Sequence, residues 1–194
     1  MRKAILFFGC ALLALAPAAF AQDHGEVGAF ADYARLNFGA GNENSLGVGG
    51  RASFGLSRYV QLEAEMNYDF DRAFTEGFTD NSSGAVTFQR SNVRTITGLF
   101  GPKFETRGPV KLFATVKGGA LDMFFSDVPA TFANFTSSVS DVRANNVSGV
   151  LYPGGGVEGF LGPIGLRLDV GDEIWFRGGT HNTLRVTFGP TIRF

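Results

Sequence analysis

The stretch LRVTFGPTIRF, residues 184–194, decides the fold class of this chain. Every second residue is apolar: Leu184, Val186, Phe188, Pro190, Ile192 and Phe194. The residues between them are arginine, threonine or glycine. A period of two predicts a β-strand with one apolar and one polar face. Because a terminal segment in water usually frays, we expect this strand to lie between an apolar medium outside and a polar interior. An arginine at Phe188 should then disrupt the fold, and one at Thr187 should be tolerated.

The amino-terminal stretch has the layout of a secretory signal peptide. Arg2 and Lys3 precede an apolar run over residues 4–16, and Ala19-Phe20-Ala21 forms an A-x-A cleavage site. The run is shorter than the roughly 20 residues that a membrane-spanning helix needs, which disfavours an anchor. We therefore predict a signal peptide over residues 1–21 and one domain over residues 22–194.

Composition narrows the class of the predicted domain. Cys10 would be lost with the signal, so neither disulfides nor thiol chemistry are expected. Loss of Arg2 and Lys3 would leave 15 Lys and Arg against 18 Asp and Glu, a net charge near −3. Nucleic-acid binding needs a basic surface and is therefore not expected. No apolar run after the signal is long enough for a membrane helix.

Alternating segments recur along the rest of the chain. The clearest is YVQLEAEMNYDF, residues 59–70, in which Val60 to Phe70 alternate with Gln61 to Asp69. Similar patterns cover residues 45–56, 110–120 and 165–172. Residues 26–36, 93–104 and 148–160 are extended but mixed, and their register stays open. About eight strands are predicted.

Short and long connections alternate between these segments. Residues 57–58, 106–109 and 161–163 are short and rich in turn formers, whereas residues 39–44, 71–92, 126–147 and 177–182 are longer and polar. A sheet that spans a membrane has to close, because lipid cannot satisfy an open edge. The pattern predicts an all-β fold, a closed up-and-down antiparallel transmembrane barrel of about eight strands.

The layout resembles the small OmpA/OmpX-type outer-membrane β-barrel proteins. The signal peptide, the alternating strands, a GPKF turn at residues 101–104, the LRLDVGD strand at residues 166–172 and the final Phe194 carry the resemblance. It implies location in the bacterial outer membrane, among outer-membrane lipids. It also implies recognition of the last strand by the barrel-assembly machinery. The matching positions are Val186, Phe188, Ile192 and Phe194, whereas Pro190 departs from the pattern.

Inward positions carry charges of both signs. The predicted lumen network comprises Arg51, Glu63, Glu65, Asp69, Lys117, Glu158, Arg167, Asp169, Arg185 and Arg193. Side chains about fill the interior of an eight-stranded barrel, so we predict ion pairs across the lumen. Glu158 is placed inward only because exposure to lipid would be costly.

Aromatic residues fall at both ends of the predicted strands, as in the girdles of membrane barrels. Phe194 also falls at the short-turn end. The predicted girdle residues are Tyr59 and Phe104 at the short-turn end, and Phe38, Phe70, Phe124 and Trp175 at the long-loop end.

Signals for catalysis are weak. His24 lies beside the cleavage site, His181 lies in a predicted loop, and no G-x-S-x-G or H-E-x-x-H motif occurs. We expect no enzyme activity and no cofactor or metal. The favoured function is a structural or surface-interaction barrel, with surface loops available to a partner of unknown identity. A small-solute porin and a soluble periplasmic lipocalin-like barrel are the alternatives, and the girdles disfavour the second.

Overall fold

A computed structural model describes residues 25–37, 42–125, 134–137, 147–177 and 179–194. The predicted signal peptide and Phe38 lie outside these residues. Nine strands occur in the described part: β1 (Gly25–Asn37), β2 (Asn42–Gly55), β3 (Val60–Asp80), β4 (Val86–Glu105), β5 (Val110–Phe125), β6 (Phe135–Ser137), β7 (Val147–Leu161), β8 (Ile164–Phe176) and β9 (Thr180–Arg193). In the described residues there is no helix with the length and apolar character needed to cross a membrane.

Eight of these strands form one closed antiparallel barrel. Around the ring the order is β1, β2, β3, β4, β5, β7, β8 and β9, and β1 pairs with both β2 and β9. The two ends of the described chain meet, because Gly25 and Phe194 exchange backbone hydrogen bonds of 3.0 and 2.9 Å. The predicted up-and-down barrel of eight strands is confirmed.

Pro190 interrupts the seam that closes the ring. The β1–β9 ladder pairs Gly28 with Thr191 and next pairs Ala31 with Phe188, so it omits two positions without changing register. Proline has no amide hydrogen to donate, which accounts for the gap. The ring stays closed because Pro190 remains in register with Leu166 of β8 on its other side.

The predicted loop over residues 71–92 is wrong. β3 and β4 continue through most of it as a paired ribbon, and only residues 81–85 connect them. A register shift between Asp69 and Arg72 marks the start of this extension. β6 adds a third strand by pairing with residues 78–80. The predicted GPKF turn is also wrong, because residues 101–104 lie inside β4.

Two other connections are shorter than predicted. β1 and β2 remain paired as far as Asn37 and Asn42, so only residues 38–41 link them. β8 and β9 remain paired as far as Phe176 and Thr180, so only residues 177–179 link those two strands. Of the four connections predicted to be long, only the one between β5 and β7 is long, and it contains β6.

The strands separate an apolar outer face from a polar inner face. Large apolar residues are exposed on the outside of the barrel strands, where they form a belt. The belt includes Val27, Leu46, Val48, Phe54, Met66, Phe100, Leu112, Val116, Leu166, Leu168, Val170, Phe188 and Ile192. Lipid is the medium that makes this surface favourable. The soluble lipocalin-like alternative, which needs the opposite arrangement, is wrong.

Candidate functional site

The lumen is the part of the molecule in which charged side chains converge. Its lowest layer, nearest the short turns, centres on Lys103 of β4. The Lys103 ammonium lies 2.9 Å from Glu26, 3.1 Å from Glu105 and 3.0 Å from Glu158. Lys111 lies 2.6 Å from Glu105 and 3.4 Å from Glu26. This layer therefore links β1, β4, β5 and β7.

A second layer lies at mid-height. Arg167 of β8 reaches Glu63 of β3 through Nη1 at 2.5 Å and Nη2 at 3.1 Å. Lys117 of β5 lies 2.6 Å from Glu63 and 2.8 Å from Glu65. Arg51 of β2 lies 3.9 Å from Glu65, and the carboxylates of this layer thus each face at least one cation. Such sharing offsets the large cost of burying charge.

The third layer lies farther from the short turns than the lowest layer does and centres on Arg185. Its guanidinium lies 2.7 Å from Asp32, 2.8 Å from Glu65 and 3.6 Å from Glu173. The Tyr152 hydroxyl donates a hydrogen bond of 2.9 Å to Asp169, which also binds Arg167. The second and third layers are therefore connected. Glycine at position 171 leaves room for Tyr152, whose hydroxyl would lie 2.6 Å from an added Cβ.

An apolar cluster fills a further part of the lumen, which was not predicted from the sequence. Its buried members are Val93, Leu99, Leu121, Met123, Val150, Tyr152 and Trp175. Trp175 is fully buried, stacks on the His181 ring at a centroid distance of 4.0 Å, and donates a hydrogen bond of 3.3 Å to Thr183. The placement of Trp175 in a lipid-facing girdle is therefore wrong. Trp175 shares the parity of Arg167 and Asp169, and its neighbour Phe176 points outward instead.

Aromatic rings also line the charged layers. Phe113, which does not fit the apolar face of its strand, points inward and lies 4.0 Å from the Arg167 guanidinium. Phe30 lies in the same way 4.3 Å from the guanidinium of Arg51. The electron-rich ring faces attract the cations, so these rings stabilise the buried arginines.

Nine of the ten residues predicted for the lumen are buried in it. Arg193 is the exception: it lies at the rim, where Nη2 donates to the carbonyl oxygen of Gly162 at 3.2 Å. Asp69 accepts hydrogen bonds from the Thr95 hydroxyl and the Asn67 amide. Reasoning from sequence missed six members of the charged layers: Glu26, Asp32, Lys103, Glu105, Lys111 and Glu173. Lys111 shares the parity of Lys117, which could have identified it.

The other predicted girdle residues that the structure describes lie on the outer face of the barrel. Tyr59, Phe70 and Phe104 are exposed at the ends of the outer face. Phe124 lies half-buried beneath Arg94, with 5.2 Å between guanidinium and ring centre. In the last strand, Phe188 and Ile192 are exposed on the outer face, and Val186 and Phe194 are partly exposed.

Two groups of three carboxylates come close enough to hold a metal ion. They are Glu26 with Glu105 and Glu158, and Glu63 with Glu65 and Asp169. Lys103 lies within 3.1 Å of all three members of the first group. In the second group, Arg167 binds Glu63 and Asp169. Ammonium and guanidinium groups thus already occupy the positions that a cation would take.

Comparison with known proteins supports the fold but no closer relationship. No protein-family model and no curated protein matches the chain. Among solved structures, Ail, the attachment invasion locus protein of Yersinia pestis, superposes with a TM-score of 0.57 at 14% identity, covering 89% of this chain and 100% of Ail. OprG of Pseudomonas aeruginosa gives 0.54 at 8% identity, with 89% and 96% covered. Neisserial surface protein A gives 0.53 at 14% identity, with 88% and 97% covered.

These neighbours are small outer-membrane barrels, and the outer face of this chain carries the apolar belt that such a barrel needs. Identity is too low to transfer any role between them. The chain has the fold of the small OmpA/OmpX-type outer-membrane β-barrels, with a belt suited to the lipid of that membrane.

Proposed function

We propose that this chain is a structural or surface-interaction barrel whose lumen is closed to solutes. The observation that carries the proposal is the ion pair between Arg167 and Glu63. It joins β8 to β3, and three strands separate these two on either side of the ring. The pair therefore spans the barrel from wall to wall.

A solute crossing the lumen would have to break several contacts in succession. The Lys103 layer, the Arg167 layer and the Arg185 layer lie one above another, and the apolar cluster that contains Trp175 fills a further part of the lumen. Separating a buried ion pair leaves uncompensated charges and costs several kcal/mol. Such a barrier disfavours the small-solute channel.

A surface role is supported by the ribbon of β3, β4 and β6. It continues past Phe70, the outer aromatic residue of β3, and ends in the turn at residues 81–85. Its outer face exposes Val86, Phe88 and Arg90. One solved structure of Ail is a complex with the heparin analogue sucrose octasulfate, so a barrel of this fold can bind a sulfated ligand. We include a surface partner at this ribbon in the proposal, without naming it.

The last strand supports assembly by the barrel-assembly machinery. Phe188 and Ile192 present their side chains on the outer face, in the alternating pattern that the family resemblance associates with recognition. Phe188→Ser together with Ile192→Ser should lower the amount of folded protein in cells. Unassisted refolding into thin vesicles should fall less, because only assembly in cells uses the machinery.

Conductance across a planar bilayer tests the closed lumen. Purified folded protein should show no steady current. Arg167→Ala should lower the free energy of unfolding before it opens a path, because the remaining layers still fill the lumen. Arg94→Ala, on the outer face, is the matched control. Stable unitary currents from the unmodified protein would overturn the closed-lumen proposal and make the channel the better function.

A further inference from the structure

The short-turn rim carries an excess of positive charge. A cavity of about 490 Å³ opens there between the β2–β3 turn and the β4–β5 turn. Arg58, Arg107, Arg193 and Lys111 line it. Lys111 is neutralised by Glu105 at 2.6 Å. Within the described residues, the three guanidinium groups make no ion pair with a carboxylate. The cavity is therefore suited to an anion.

An apolar groove adjoins this cavity on the outer face of the barrel. The groove has a volume of about 450 Å³, and its wall includes Tyr59, Phe104, Leu112 and Ala114. Glu105 and Thr106 line both spaces, because they lie at the start of the β4–β5 turn. The basic cavity and the apolar groove thus meet at the β4–β5 turn, in the size range of small-molecule sites.

Arg107 lines the basic cavity and contacts the wall of the apolar groove. Its guanidinium lies 4.7 Å from the ring centre of Tyr59, a residue of the groove wall. Arg107 is exposed, so its N–H groups remain accessible at the rim while the guanidinium packs on the ring. A guanidinium is a fork of donors that fits two phosphate oxygens.

We propose that this rim binds one anionic phospholipid, with its phosphate between Arg107 and Arg58 and one acyl chain in the groove. The polar headgroup then lies in the basic cavity. Short turns of outer-membrane barrels face the periplasm, so the ligand belongs to the leaflet on that side. The proposal concerns a site that the closed-lumen function does not need.

The joined spaces favour a lipid over a soluble anion. A free phosphate would use the arginines but leave the groove of Leu112 and Ala114 without a role. A neutral lipid would use the groove but leave three cations uncompensated. A phospholipid with net negative charge matches both, because its anionic headgroup fits the basic cavity and its acyl chain fits the adjoining apolar groove.

Lipid retention measured by native mass spectrometry tests the site. Folded protein is reconstituted in phosphatidylcholine nanodiscs that contain a minor fraction of phosphatidylglycerol, and is then transferred to detergent. One phosphatidylglycerol should remain bound to the unmodified protein. Arg58→Gln with Arg107→Gln should lower its retention by about tenfold or more, since hydrogen bonds to charged groups are lost. Ala114→Trp, which fills the groove without changing charge, should also lower retention.

Arg94→Gln is the matched control, because Arg94 lies on Phe124 at the opposite rim as Arg107 lies on Tyr59. Its phosphatidylglycerol retention should equal that of the unmodified protein. Gel mobility with and without boiling verifies that every variant folds. Equal retention of phosphatidylcholine and phosphatidylglycerol would overturn the proposal, as would unchanged retention in the double variant. Displacement by inorganic phosphate, with no effect of Ala114→Trp, would indicate a soluble-anion site and would overturn the lipid.

Discussion

Arg167 of β8 and Glu63 of β3 form a two-pronged ion pair across the full width of the barrel, with N–O distances of 2.5 and 3.1 Å. Each partner makes a further contact, Arg167 with Glu158 and Glu63 with Lys117. The pair therefore braces opposite walls and joins two of the charged layers.

Removing Arg167 should destabilise the barrel strongly. Arg167→Ala leaves Glu63 and Glu158 with less compensation in a buried space, and losing one partner of such a pair costs about 3–5 kcal/mol. Urea unfolding in lipid vesicles measures the change.

A control variant and a rescue variant test whether the loss of stability in Arg167→Ala comes from the broken ion pair. Arg94→Ala on the outer face should change the free energy of unfolding by less than about 0.5 kcal/mol. Arg167→Met with Glu63→Gln should recover part of the lost stability, because the double variant removes both charges and leaves neither one buried without its partner. A loss at Arg167 no larger than that at Arg94 would contradict the role of the bridge.

The two faces of β9 should respond differently to an added charge. Phe188 is 54% exposed on the outer face, so Phe188→Arg places a cation against lipid, costing about 2–4 kcal/mol near the midplane. Phe188→Leu keeps an apolar residue and should change little. Refolding yield into vesicles compares the two, and equal yields would show that Phe188 does not face lipid.

Thr187 shows that an inward position does not tolerate every polar residue. The Arg51 Nη2 donates to its hydroxyl at 2.8 Å, so the tolerance of Thr187→Arg expected from the sequence is replaced by the opposite prediction. A second guanidinium there would repel Arg51 and exceed the space available. Thr187→Val should lose about 1.5–3 kcal/mol for the missing hydrogen bond from a charged group. Urea titration of both variants should rank Thr187→Arg as the less stable.

Trp175 provides an optical test of its inward position. It is the single tryptophan of the chain, so the indole emission reports on one site. Because the ring is buried in the lumen, lipids brominated along their acyl chains should quench it weakly. Trp175→Phe combined with Phe70→Trp moves the emitter to the outer face and should be quenched strongly. Equal quenching of both proteins would show that the Trp175 side chain faces lipid in the girdle.

Asp80 at the tip of the β3–β4 ribbon should titrate at low pH. Its carboxylate accepts hydrogen bonds from the Ser83 hydroxyl at 2.7 Å and the Ser82 amide at 2.9 Å, which lower its pKa from the ordinary 3.8. A lowered folded-state pKa means that its contribution to turn stability is complete above pH 3.8 and is lost as pH falls through the lower value. An NMR titration measures the midpoint. Ser83→Ala should raise it, and an unchanged midpoint would contradict the assignment.

The clearest strands could be predicted because alternation is repeated at every second residue. Residues 59–70 and 184–194 each contain enough pairs of apolar and polar positions to specify which side faces outward. The alternation of β8 also indicates that Trp175 points inward, because it lies an even number of residues after the inward-facing Arg167 and Asp169. Its predicted girdle position followed from residue type alone and is wrong, because the parity of the strand places the side chain in the lumen.

Other parts of the site were hidden by open register or by residue type. Lys103, Glu26 and Asp32 lie in the mixed segments 93–104 and 26–36, where the pattern does not decide between the two faces. The paired ribbon of residues 71–92 looked like a loop because it leaves the belt, and its exposed polar residues no longer alternate with apolar ones.

The sequence by itself determined that the chain forms strands with an apolar outer face, because side chains of a strand alternate regardless of its neighbours. Ring closure follows because lipid cannot satisfy an open sheet edge, and the inward positions of the alternating strands carry charges of both signs. Only the tertiary structure decided which charges meet. Arg167 and Glu63 are 104 residues apart, and their contact depends on strand order, stagger and barrel width together. Local periodicity contains none of these three quantities.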